Sequence, residues 1–426
     1  MEHARRCVDL RGDLNTHCPP ESNGMTPAWT RRQAMHDLTF VHADAAHTEW
    51  QVALADCQRQ LDTQDLLRQA RLDHAPPLTL GWCYISDYYA LAAEAILAAL
   101  QQNWPGVSWV GTVGLGVSAS GVEYFDQPAM ALLAAPFPRG SFRLFSGRQP
   151  LPAASSGFVP HTALVHAEGS TPDVQELLHE LSARTATGYL FGGLSSARNR
   201  TLHIADGVYS GGLSGVLFGP EVELVSRVTQ GCQPIGPARA VTRSEHNLLF
   251  ALDGKPALDC VLQDLGVERD APVEAMAEAL SGTLAGLNAA TDDAPVQPGR
   301  FGSDTLVRHL IGLDVQHRVL ALADQVAPGM RLAFCMRNAA AARADLERIA
   351  TEIRRDIEQG GGHARGALYI SCSGRGGPHF GAPHAELQTV RRALGDLPLA
   401  GFFAGGEIAR DHLYGYTGVL TVFTSH

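Results

Sequence analysis

The chain is poor in the features that mark several common functions. Its 33 basic side chains include a single lysine, Lys255, and no block of basic residues stands out, so a general binder of phosphate backbones is not expected. Net charge is −11. The eight cysteines (Cys7, Cys18, Cys57, Cys83, Cys232, Cys260, Cys335, Cys372) form no Cys-x-x-Cys pair. That argues against a zinc ribbon or a disulfide framework, and it fits reduced thiols in a cytoplasm. The longest apolar run, around residues 90–100, is broken by Glu94 and is too short to cross a bilayer. Residues 1–35 carry Arg5, Arg6, Arg11, Arg31 and Arg32 but no apolar centre, so they make no secretory signal. We read residues 1–38 as a disordered leader, with Met25 or Met35 as the true start. A Walker loop, a dinucleotide fingerprint, a His-Glu-x-x-His pair and a Gly-x-Ser-x-Gly elbow are all missing. No metal site and no cofactor are therefore expected.

What is present is a plan used three times. From Gly366 an apolar strand runs into the Gly/Ser turn SCSGRGG, then an amphipathic helix with Leu387, Val390 and Leu394 on one face and charges opposite. A second strand ends at Gly405-Gly406, and a return strand closes the unit. The same order appears from His161, with Val174, Leu177, Leu178 and Leu181 at helical spacing after the start signal Ser170-Thr171-Pro172-Asp173. A fainter copy begins at Leu78. The pairs Gly192-Gly193 and Gly405-Gly406 lie half a chain length apart, which points to duplication.

At 426 residues the chain exceeds a single core. The expected architecture is α/β with mixed sheets, helices packed outside them, and two fused halves at 39–236 and 237–426. Ahead of the first copy, residues 48–70 read as a helix with Trp50, Val52, Leu54, Leu61 and Leu66 as apolar contacts. Residues 256–265 and 272–287 also read as helical, and so do 340–359, with Leu346, Ile349, Ile353 and Ile357 on one face. The hairpin of 241–252 turns at 244–247, and 289–303 is linker-like.

Several residues carry candidate chemistry. In SCSGRGG, glycines such as Gly374 let backbone N–H groups approach a ligand, and Arg375 adds a fork suited to a carboxylate or phosphate. The competing reading is a tight turn with a solvent-facing Arg. Cys372 is a nucleophile only if a base stands near it, with His379 and His384 closest in sequence; otherwise it is a buried structural thiol. Gly405 and Gly406 permit a close crossing or bulge. Glu407 behind them suits an ammonium group or a pairing with Arg375. Gln230 sits on a rigid loop, Thr229–Pro237, where the halves join. Arg308 and Arg337 lie at strand ends and serve either a ligand or structural ion pairs. An acid and a guanidinium facing one hollow would suit a zwitterion such as an amino acid.

Taken together, VTQGCQPIGP (228–237), LDGKPAL (252–258), DTLVRHLIGLD (304–314) and GFFAGGEIA…YGYTGVL resemble the FIST family over roughly residues 40–424. The resemblance implies an N-terminal and a C-terminal portion, a cytoplasmic sensory role in signal transduction, and small ligands such as amino acids. It also implies a protein signalling partner whose identity is open; the composition already speaks against nucleic acid and membrane as partners. A cysteine-dependent enzyme using Cys372 and a ligand-free interaction module remain the alternative readings.

Overall fold

The structure is a computed structural model that describes residues 40–72, 74–148, 157–288 and 305–425. The expected leader and the linker 289–303 lie outside them. The first repeat runs β1 (Val41–Ala46), α1 (Trp50–Arg71), β2 (Leu80–Ser86), α2 (Ala93–Asn103), β3 (Ser108–Gly114), β4 (Gly116–Ala119), β5 (Val122–Phe125) and β6 (Ala129–Ala135). The second runs β7 (Phe142–Phe145), β8 (Thr162–Ala167), α3 (Val174–Ser182), β9 (Tyr189–Leu194), β10 (His203–Ala205), β11 (Val208–Tyr209) and β12 (Leu213–Phe218).

The third repeat opens with β13 (Leu224–Gln230) and is then interrupted. The insertion holds β14 (Cys232–Pro234), β15 (Arg239–Glu245), β16 (Leu248–Leu252), β17 (Lys255–Pro256), α4 (Ala257–Leu265) and α5 (Val273–Leu280). It ends with β18 (Thr283–Asn288), β19 (Leu306–Asp314), β20 (Val319–Leu322) and β21 (Arg331–Arg337). The repeat resumes with α6 (Ala339–Gln359), β22 (His363–Cys372), α7 (Ala385–Leu394), β23 (Leu399–Ala404), β24 (Glu407–Ala409), β25 (His412–Tyr414) and β26 (Thr417–Ser425).

Each repeat builds the same mixed sheet. A parallel pair (β2 with β3, β8 with β9, β22 with β23) is flanked by an antiparallel return strand (β6, β12, β26) and then by the repeat's opening strand. The hairpins are exchanged in a ring. β4–β5 completes the third sheet on β23, β10–β11 completes the first on β3, and β24–β25 completes the second on β9.

Strand alternation explains the layers. Trp82 and Tyr84 point into a core shared by all three sheets, with Leu164, Phe191, Ile370 and Phe402, while Cys83 and Ile85 face α1 and α2. Tyr84 stacks on Phe402 at 5.1 Å and Trp82 meets Phe423 at 5.3 Å, tying the first sheet to the third. Helices α6 and α7 cover the third sheet and α3 the second.

The insertion is a closed antiparallel barrel, β21-β15-β16-β20-β19-β18, shut by pairing of β18 with β21. It has its own core, including Leu249, Leu252, Leu320, Leu332 and Phe334.

Three sequence expectations need correction. The helix expected over 272–287 stops at Leu280; Gly282 takes a left-handed φ of +84° and Thr283–Asn288 becomes the strand that closes the barrel. On α1, Val52 and Leu66 are exposed rather than packed. The two glycine pairs are not repeat equivalents: Gly192 and Gly193 lie inside β9, whereas Gly405 and Gly406 follow β23. They meet instead, and a Cβ on Gly193 would stand 2.9 Å from the Ala404 Cβ.

The true equivalents are Gly111, Gly192 and Gly401, one in each parallel pair. A Cβ there would lie 1.8, 1.9 and 1.7 Å from the carbonyl oxygen of Cys83, Val165 and Tyr369. Gly401→Ala is therefore expected to lose about 4 kcal/mol or more of unfolding free energy in urea titrations. A loss under about 1 kcal/mol would show that the strands splay freely.

Candidate functional site

Barrel and body meet at a cleft of about 740 Å³. Its body wall is the ends of the parallel strands β22 and β23, with Cys372, Ser373, Gly374, Gly405 and Gly406, together with the β25–β26 turn. Crevices outside the carboxyl ends of such strands are the usual ligand position in α/β sheets. Its barrel wall is Leu306–His309 and Ala323–Gln325. In the other two repeats the equivalent corner is tied down. Asp87, after β2, is held by the Arg198 guanidinium at 2.7 Å, and Glu168, after β8, accepts from Thr201 at 2.7 Å.

The structure thus brings Cys372, Gly374, Gly405, Gly406 and Arg308 onto one cleft. Arg308 donates to Asp324 at 2.6 Å and to the Leu413 carbonyl at 3.0 Å. Arg337 is exposed at the margin, donates to the Gly374 carbonyl and lies over the Tyr416 ring. Arg375, Glu407 and Gln230 do not line the cleft, and all three are buried.

Arg375 is not solvent-facing. Its Nε and Nη2 both reach Glu386 Oε1 at 3.1 Å, Nη1 donates to the Thr229 carbonyl at 3.3 Å, and the guanidinium lies 5.2 Å from the Phe380 ring centre. Tyr369 (2.6 Å) and Ser371 (2.9 Å) donate to the same Glu386 oxygen. Glu386 is fully buried on the face of α7 where only apolar residues were expected. The Arg375 charge is therefore matched inside the protein by Glu386. Glu407 Oε2 accepts from the Thr417 amide (3.1 Å) and hydroxyl (2.7 Å), while its Oε1 has no conventional partner. Gln230 donates to the Thr305 carbonyl at 3.1 Å, and its amide donates to Asp345 at 2.8 Å.

Among the described residues no group of His, Cys, Asp and Glu is arranged to hold a metal ion. No helix among them is long and apolar enough to cross a membrane.

Comparison with known proteins decides the relationship. The FIST N domain matches residues 79–255 and the FIST C domain matches residues 257–410. The chain belongs to the FIST family. It is 31% identical over 346 residues to the uncharacterized protein Rv0628c of Mycobacterium tuberculosis (strain ATCC 25618 / H37Rv), covering 78% of this chain and 87% of that one. The uncharacterized protein Mb0898c of Mycobacterium bovis (strain ATCC BAA-935 / AF2122/97) is likewise 31% identical over 346 residues, covering 78% of this chain and 86% of its own. FIST domains are sensory domains of signal transduction. In this FIST chain the junction between the two matches falls inside the barrel, at β17, so neither part builds the barrel alone.

Electrostatics separate the cleft-lining thiol from the carboxyl beneath it. Burial, then the neighbouring Glu407, pushes the Cys372 thiol up to about 12, although the Gly374 and Tyr416 amides and Arg375 act the other way. Both nearby imidazoles have other neighbours: His384 accepts from the Glu123 amide at 2.9 Å, and His379 packs edge-on to Phe380. Burial pushes Glu407 up to about 8 against its bonds from Thr417 and the Arg375 charge. Burial and then Glu386 push Glu123 up to about 7.

Sequence reasoning passed over Glu386, Tyr416 and His309. The Tyr416 hydroxyl bonds His309 Nε2 across the cleft at 2.7 Å. Its signal was the left-handed turn in YGYTG, where Tyr416 takes a φ of +59° usually left to glycine.

Two outcomes follow from these charges. Cys372 is expected to alkylate with iodoacetamide more slowly than free cysteine at neutral pH, read by peptide mass spectrometry; a faster rate would restore the nucleophile. Glu407 keeps a proton in the folded state that the unfolded chain releases near 4.5, so its own contribution to stability falls as pH rises from about 4.5 to about 8 and is level outside that window. Glu123 adds in the same direction over the lower part of it. Comparing urea midpoints at the two ends of the window, Glu407→Gln should raise the high-pH midpoint relative to the low-pH one, and an unchanged difference would refute the assignment.

Proposed function

We propose that this FIST protein is a small-molecule receptor whose ligand sits in the cleft between barrel and body, feeding a protein signalling partner. The carrying observation is convergence. Glycine turns near positions 374 and 405, the Cys372 strand end and the Arg308 strand come from separate parts of the chain and border one hollow of about 740 Å³, within the usual range for small ligands. The charges offered there are Arg308 and Asp324, side by side at 2.6 Å and partly open to solvent. That pair takes the place of Arg375 and Glu407 as the site's polar anchors. A guanidinium and a carboxylate that exchange each other for a ligand suit an amino acid or a related carboxylate. A reducing cytoplasm suits the six unpaired thiols among the described residues.

Isothermal calorimetry against the common amino acids and small carboxylates tests this reading. Binding by at least one is expected, and Arg308→Ala should weaken it about tenfold or more, the effect of losing a charge-assisted fork. Absence of heat for every compound, confirmed by unshifted melting temperatures, would sink the receptor.

A further inference from the structure

The barrel is attached to the body in a particular way. The chain enters it after Gly231 and leaves it at Asn338, and the two crossings touch: the Asn338 amide donates to the Gly231 carbonyl at 3.1 Å. Just beyond, Cys232 pairs with Arg337 as β14 and β21 begin their ladder, and the Asn338 side chain donates to Gln233 at 2.8 Å. Both covalent connections therefore run through one two-stranded stalk.

Away from the stalk the barrel keeps its own apolar core. What joins it to the body is mostly polar. Arg308 donates to the Leu413 carbonyl, Gln230 to the Thr305 carbonyl, and the Tyr416 hydroxyl bonds His309. The apolar part is the small cluster of Cys232, Leu284, Val307 and Cys335 with the Tyr416 ring against it, together with the single side chain of Leu306, which packs on both the barrel core and the body core. Small polar interfaces between self-cored units permit relative motion, and closure about a few element-terminal residues is a standard response to a ligand held between two bodies. Tyr416 and His309 both line the cleft, so a ligand there competes for their bond. Tyr416 also holds a left-handed backbone at φ +59°, a conformation that persists in a bulky residue only where its surroundings enforce it.

We propose that the barrel is a hinged jaw, pivoting at Gly231 and Asn338, and that the Tyr416–His309 bond is the latch a cleft ligand opens. The jaw's role as a readout rests on the receptor reading above. The measurement needs no ligand, so the two can fail separately.

Amide hydrogen exchange on the full chain tests it. Tyr416→Phe keeps the ring and its contact with Arg337 but deletes the hydroxyl; His309→Gln breaks the same bond from the barrel side. Both variants should raise exchange at residues 306–309 and 412–416 about fivefold, the factor for one net hydrogen bond. The barrel strands at residues 249–252 and 332–335 should exchange as before. No rise at the cleft in either variant, or a rise that runs through those strands, would overturn the hinged jaw.

Discussion

The exchange of hairpins among the three repeats is the constraint on which the rest depends. No repeat completes its own sheet: β4–β5, β10–β11 and β24–β25 each finish a neighbour's. Open sheet edges that would otherwise await a partner are thereby paired within the chain. The three sheets must then form together around the core that holds Trp82, Tyr84, Phe191 and Phe402. Gly111, Gly192 and Gly401 mark the same requirement in each repeat, because the parallel strands approach too closely there for any side chain. The barrel stands outside this ring, with a separate core and two adjoining connections, and the cleft forms where the two regimes meet.

Beneath that cleft lies a buried ion pair whose partners crowd one carboxylate oxygen, while Glu386 Oε2 is left without a hydrogen bond. Glu386 Oε1 receives Tyr369, Ser371 and Arg375, and the guanidinium takes the Thr229 carbonyl as well. Breaking one side of such a pair leaves an uncompensated charge in a medium of low polarity. The network thus immobilises the turn after β22 and presents Cys372 and Gly374 as a firm wall. Glu123, from the hairpin of the first repeat, accepts from the Leu387 amide at the start of α7. That contact links the exchange of hairpins to the position of the site.

Much of this was legible in the chain itself. The apolar face of α6 through Leu346, Ile349, Ile353 and Ile357 is buried as its spacing required, because a 3.6-residue period needs no knowledge of a partner. The hairpin of 241–252 and the strand-helix-strand-strand order carry their signals locally too. The expectation over 272–287 failed because Ser281-Gly282 is a weak break, and the strand state of 283–288 is set by partners distant in sequence, β19 and β21. Equating the two glycine pairs failed because residues that look alike along the chain turned out to touch.

By itself the sequence determined the α/β class, the threefold plan and the set of turns that border the cleft, since each is written in short-range periodicity and glycine placement. Only the tertiary structure decided which charges border the cleft. Arg375 and Glu407 look like exposed anchors in one dimension, yet Glu386 and Thr417 claim them, and Arg308 with Asp324 stands on the open wall instead. Pairing of charges depends on distance in space, and the ring of exchanged hairpins brings together residues far apart in the chain.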